Sequence, residues 1–158
     1  MTETPRIARR AALAAVSALT AVGLARTGAS QSRDDAGPIL QPPQPSREAF
    51  MARALAMRDR AQREGDQAFG AIVVRTGVIV GEAPCRVITN RDPTAHGEIE
   101  AIRDAARRLG TNDLSGCELY TSFRPCPMCE TAASWARISR IYHGAAIADH
   151  GPPRYPSC

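Results

Sequence analysis

The sequence contains no lysine, and all 20 of its basic residues are arginine. That absence excludes Schiff-base chemistry and the lysine-bearing phosphate loop, and several enzyme classes go with them. Long hydrophobic runs are missing too. The uncharged stretch AALAAVSALTAVGLA, residues 11–25, is too short and too alanine-rich to make a membrane span. Aromatic residues are few, with three Phe, three Tyr and one Trp, and Trp135 and Tyr142 are read as core residues rather than base-stacking ones. A strong charge of one sign is also lacking. The formal net charge is +4, but Arg6, Arg9, Arg10 and Arg26 against Glu3 place +3 of it in the first thirty residues, leaving +1 for the rest. Short of a local patch, a near-neutral body offers no basic surface for a phosphate backbone.

What is present suits one α/β domain: 158 residues with 44% hydrophobic content are enough for a real core. Arg9 and Arg10 ahead of the apolar run resemble a twin-arginine export signal, with small residues near Ala29 for cleavage. The expectation is therefore a signal-like segment over residues 1–30 and a periplasmic protein, or a cytoplasmic one if the signal is not functional. Residues 31–45, QSRDDAGPILQPPQP, read as a proline-rich extended linker. The folded domain is then expected over residues 46–158.

Within it, Ser46 is a good N-cap for a helix reaching about Arg63, with Phe50, Met51, Leu55 and Met57 on one face and Gly65 as its stop. AFGAIVV, residues 68–74, and VIV, residues 78–80, predict a hairpin across Thr76 and Gly77. Gly70 inside the first run signals either a bulge or a close backbone approach. Pro93 predicts the first turn of a helix that Leu109 and Gly110 close. CELYTS, residues 117–122, reads as a strand, a helix opens near Pro125, and RIYHGAAI, residues 140–147, reads as a last strand. Strands separated by helices argue for a layered α/β sheet.

Two motifs carry the chemistry. PCPMC, residues 125–129, places Cys126 and Cys129 three apart at a helix start, where both thiols can converge and thiolates are favoured. Such a pair alone fits a redox dithiol, half of a structural zinc site, or coincidence. A structural site takes four protein ligands, and no second cysteine pair exists here. Adding His96 makes three ligands with a fourth position left for water, the pattern of a catalytic zinc site. Glu98, two residues from His96, diverges from it on a helix and is better placed to exchange protons with that water than to bind metal.

Together His96-Gly97-Glu98 and Pro125-Cys126-Pro127-Met128-Cys129 match the H-x-E followed by P-C-x-x-C signature of zinc deaminases. With FGAIVV, DPTAHGEIEAIR, LYTS and WARISRIYHGA, the chain resembles the cytidine deaminase-like superfamily, in the branch of guanine deaminases and tRNA adenosine deaminases. That resemblance implies a three-layer α/β/α sandwich with a mixed central sheet of about five strands. It also implies a Zn2+ cofactor held by His96, Cys126 and Cys129, with Glu98 as the catalytic proton shuttle, Ala95 and Pro125 lining the substrate, and a homodimer.

Some positions depart from the family pattern. Gly97 replaces the usual alanine, which is expected to loosen the helix start. A substrate-contacting asparagine aligns with Cys85, and the acid common before PC is Arg124. The domain also looks shortened at its C-terminus. The activity expected is zinc-dependent hydrolytic deamination of a small-molecule base or nucleoside, guanine-like first. The alternatives are tRNA adenosine deamination and a non-catalytic zinc-stabilised binding module. Cys85, Cys117 and Cys158 remain unassigned, with Cys117 expected to be a buried free thiol.

Overall fold

A computed structural model of the chain describes residues 37–154, all within the unit Ser32–Cys158. The expected signal segment, the first residues of the expected linker and Cys158 lie outside the described residues. Helix α1, Arg47–Arg63, begins where the Ser46 hydroxyl accepts from the Ala49 N–H at 3.2 Å, satisfying a donor that the first turn leaves unpaired. Glu48 in its first turn and Arg60 and Arg63 in its last complement the helix dipole. Gly65, at φ 79°, turns the chain out of the helix.

Strands β1, Gly70–Arg75, and β2, Val78–Pro84, form the expected hairpin. Thr76 and Gly77 both have positive φ, the turn whose twist matches that of its strands. Strand β2 runs on past Val80 to Pro84. Strand β3, Cys117–Thr121, lies antiparallel to β1. Strand β4, Arg140–His143, lies parallel to β3, with helix α3, Pro127–Trp135, crossing between them. The mixed sheet has the order β2-β1-β3-β4-β5.

Helix α1 packs on one face, over Phe50, Met51, Met57, Ile72, Val74, Ile79, Tyr120 and Tyr142. Helix α2, Gly97–Leu109, and α3 cover the other, over residues such as Ala71, Val73, Leu119 and Ile141. Two cores on opposite sides of one sheet make the expected three layers.

The structure moves several boundaries. Helix α2 starts at Gly97 rather than Pro93, because Asp92 Oδ1 accepts from both the N–H and the hydroxyl of Thr94 and holds that stretch in a turn. Helix α3 starts at Pro127, with Cys126 as its N-cap. The expected last strand ends at His143; Gly144 turns the chain, and a further strand β5, Ala148–Gly151, returns antiparallel to β4. Trp135 is 53% exposed and not a core residue, since it closes the short α3 on its outer side, whereas Tyr142 is buried.

Residues 37–45, the described part of the expected linker, form no helix or strand, yet they pack on the domain. Ile39 packs against the α1 core, and the Gln41 side chain donates to the Ile79 carbonyl at 2.8 Å and accepts from its N–H at 2.9 Å. Ile79 lies on β2, the edge of the sheet. No helix among the described residues is long and apolar enough to cross a membrane.

Candidate metal centre

The site forms where four chain ends meet. Because β1 and β3 are antiparallel, the start of β1 lies beside the end of β3: Ser122 Oγ accepts from the Gly70 N–H, and the Ser122 N–H donates to the Gly70 carbonyl. The N-termini of α2 and α3 close over this point. Gly70 is there for close approach rather than for a bulge. A Cβ on it would lie 2.3 Å from the Arg58 backbone nitrogen of α1, and a Cβ on Gly97 would lie 2.9 Å from the Gly70 Cα. Gly97 is buried in that contact, so the glycine seats the helix start against the sheet instead of loosening it.

His96 is the N-cap of α2, with extended backbone, and its side chain makes no capping hydrogen bond. Its imidazole is thus available to the ligand set. Cys126 is the N-cap of α3, and Cys129 follows one turn on. The structure brings the three together: Cys126 Sγ to Cys129 Sγ is 3.6 Å, and His96 Nδ1 lies 3.7 Å from Cys126 Sγ and 3.5 Å from Cys129 Sγ. A tetrahedral zinc with ordinary Zn–S and Zn–N bonds sets these separations at about 3.8 Å for S···S and about 3.6 Å for S···N. The donor set therefore fits zinc in both chemistry and spacing.

Glu98 points into the same place. It is 6% exposed, and its Oε1 accepts from the Thr121 hydroxyl at 3.1 Å. Burial pushes the Glu98 carboxyl up, and the hydrogen bond from Thr121 and the neighbouring His96 and Cys129 offset only part of that push. Burial and the adjacent Glu98 also push the Cys129 thiol up. A buried and a half-buried thiol lie beside a buried carboxyl, a grouping whose negative forms a divalent cation would balance.

Ala95 and Pro125 are buried beside the ligands, and the Ala95 carbonyl accepts from the Arg86 N–H at 2.8 Å. Cys85 is buried with its Sγ 3.7 Å from that carbonyl. Cys117 is a buried free thiol, away from the centre at the other end of β3.

Sequence reasoning missed three features. Thr121 holds Glu98, although strand alternation already placed it on the α2 face. Asp66 anchors the loop ahead of His96: its carboxylate accepts from the N–H groups of Gln67, Ile88 and Thr89 and from the Thr89 hydroxyl. Burial pushes its carboxyl up, but these hydrogen bonds win and hold it at about 2. Phe69 and Phe123, both exposed with rings 6.2 Å apart, flank Gly70 and the ligand loop.

Residues 44–145 match the family described as the cytidine and deoxycytidylate deaminase zinc-binding region. The chain is 42% identical over 103 residues to guanine deaminase of Bacillus subtilis, covering 65% of this chain and 66% of that protein. It is 42% identical over 105 residues to tRNA-specific adenosine deaminase of Aquifex aeolicus, covering 66% of this chain and 70% of that protein. The X-ray structure of the B. subtilis guanine deaminase superposes with a TM-score of 0.61 at 42% identity, over 63% of this chain and 64% of that one. The match to the curated guanine deaminase thus spans just under two thirds of its length.

Proposed function

Because this chain belongs to the cytidine and deoxycytidylate deaminase family, we propose that its centre removes the exocyclic amine of a nucleobase by hydrolysis. The observation that carries this reading is the buried Glu98, held by Thr121 beside three residues spaced for zinc. A purely structural metal site has no use for that carboxylate.

His96, Cys126 and Cys129 would hold the metal, and zinc bound there would supply a Lewis acid that makes water a nucleophile near neutral pH. Glu98 moves the protons. Its carboxylate takes one from the attacking water and delivers it to the ring nitrogen, then takes the second from the hydroxyl newly added to carbon and delivers it to the departing amine, leaving a carbonyl. A C–O bond forms, the C–N bond breaks, and ammonia leaves. Thr121 fixes the Glu98 rotamer. Ala95 and Pro125 line the base, and the exposed Phe69 and Phe123 offer it apolar faces.

We assign the base to a small molecule, with guanine-like rings first. The +1 formal charge beyond the first thirty residues supports a small substrate over a long phosphate backbone, and so does the export-signal character of those thirty residues. The second reading, deamination of adenosine in tRNA, draws on the equal identity to the A. aeolicus enzyme.

Ammonia release from guanine, adenine, cytosine and their nucleosides tests the assignment. Wild type is expected to turn over at least one of them. Glu98→Gln is expected to keep its zinc and fold but to lose roughly a hundredfold or more in turnover. Equal rates for the two proteins would overturn the mechanism, and activity on tRNA alone would favour the second reading.

A further inference from the structure

Next to the metal centre, a cavity of about 460 Å³ is lined by Arg124, Glu130, His143, Asp149, His150 and Arg154. Chain connectivity and the sheet fix its place. Arg124 is two residues before Cys126, and Glu130 immediately follows Cys129. His143 is registered opposite Thr121, the residue that holds Glu98. Tyr142 packs into the α1 core, so strand alternation turns His143 to the opposite face, where the metal ligands lie.

The charges in this cavity are unevenly committed. Glu130 Oε1 pairs with His150 Nε2 at 3.1 Å. Asp149 Oδ1 accepts from Arg140 Nε and from the Gly151 N–H, each at 2.9 Å. Both acids therefore have partners. Arg124 has no hydrogen bond or ion pair among the described residues. His143 and His150 lie with rings 5.7 Å apart. Burial, His150 and Arg124 together push the His143 imidazole down, as cationic neighbours do.

We propose that this cavity holds the phosphate of a nucleotide whose base enters the metal centre, with Arg124 as its principal ligand and Arg154 and His143 as supports. A guanidinium fork matches phosphate geometry and gives charge-assisted hydrogen bonds stronger than neutral ones. The volume lies within the range of small-molecule sites. A free base would leave the cavity unused, whereas a nucleotide carries a phosphate that can occupy it. The assignment to a substrate rests on the deaminase reading; the anion site itself does not.

The test compares kcat/KM for a nucleoside and its 5′-monophosphate, using the base that wild type accepts. Wild type is expected to prefer the monophosphate by about tenfold or more, the worth of one charge-assisted contact. Arg124→Gln, checked for unchanged zinc content, is expected to bring that ratio close to one. Arg154→Gln, remote from the ligand loop in sequence, is expected to lower it less. Calorimetry with ribose 5-phosphate and ribose provides a readout independent of turnover: the phosphate form alone should bind, and Arg124→Gln should weaken it. Arg124-dependent binding of ribose 5-phosphate by a protein that deaminates nothing would sink the deaminase reading and keep the anion site. Equal kcat/KM for nucleoside and monophosphate, with no binding of ribose 5-phosphate, would overturn the proposal. A short oligoribonucleotide preferred to the monophosphate would overturn the assignment to a nucleotide.

Discussion

Phe50, Met51, Met57, Tyr120 and Tyr142 fill the α1 face of the sheet, whereas Ala71, Ala83, Ala101, Ala105 and Ala133 make up much of the face under α2 and α3. On the first face the rings interlock, with Tyr120 and Tyr142 stacked at 4.9 Å and Phe50 tilted against Tyr120 at 5.4 Å. On the second, backbone meets backbone: a Cβ on Gly81 would come 2.5 Å from the Ala105 nitrogen of α2. Large side chains bury the most area and contribute the most to stability. Small ones leave no slack between helix and strand, so the helix N-termini sit where the backbone puts them. His96 and Cys126 as N-caps, and Cys129 one turn later, inherit that precision. One face thus carries stability and the other geometry.

The sharpest way to break this division is at a ligand. Cys126→Ser is expected to reduce zinc from about one ion per chain to a small fraction, read by metal analysis of purified protein. A full zinc complement in that variant would remove the metal centre from the α2 and α3 face altogether. Next in size is Phe50→Ala on the opposite face. It should cost about 3–5 kcal/mol in denaturant unfolding, while zinc per folded molecule stays the same. Zinc lost in step with stability would show that the two faces are one unit.

The smallest effect belongs to Asp66, which ties the end of α1 to the loop ahead of His96. Asp66→Asn should cost about 1.5–3 kcal/mol at pH 7, because charge-assisted hydrogen bonds to three N–H groups and a hydroxyl are weakened. The sign with pH follows from the low folded pKa of about 2. A depressed carboxyl stabilises fully above its unfolded value, near 3.9, and loses that contribution as pH falls through about 2. The gap between wild type and Asp66→Asn should therefore be constant from pH 7 to about 5 and narrow towards pH 2. A gap that is independent of pH over this range would mean that the carboxylate charge contributes nothing.

What could be read from the sequence was local chemistry with a strong signal. Ser46 capping α1, the Thr76–Gly77 turn, Gly110 in the left-handed cap of α2, and the three metal ligands each follow from one residue type in one place. Where two local signals competed, the weaker one was easily followed. Pro93 suits a helix start, yet Asp92 and Thr94 close a turn around it, and the extended backbone of His96 delays the helix to Gly97. Strand β5 carried no pattern to find: Ala-Asp-His-Gly has no apolar alternation and is held by pairing to β4 and by the Arg140–Asp149 bridge. Without β5 the cavity beside Arg124 was invisible, since His150 reaches Glu130 only after the chain folds back. Thr121 and Asp66 belong to the same class, because each acts through partners distant in sequence.

The Gln41 amide that grips Ile79 also bears on how the protein behaves in a crowd. A sheet edge is a template for a foreign strand, and an incoming chain recruits through the same N–H and C=O that this amide already occupies. A single side chain thereby imitates a strand residue and stops the sheet from growing on the β2 side. At the other margin β5 deters growth differently, by being short and by carrying Asp149. One edge is plugged and the other is merely uninviting, so cross-chain pairing would begin at the β2 edge once the residues ahead of Ser46 were cut away.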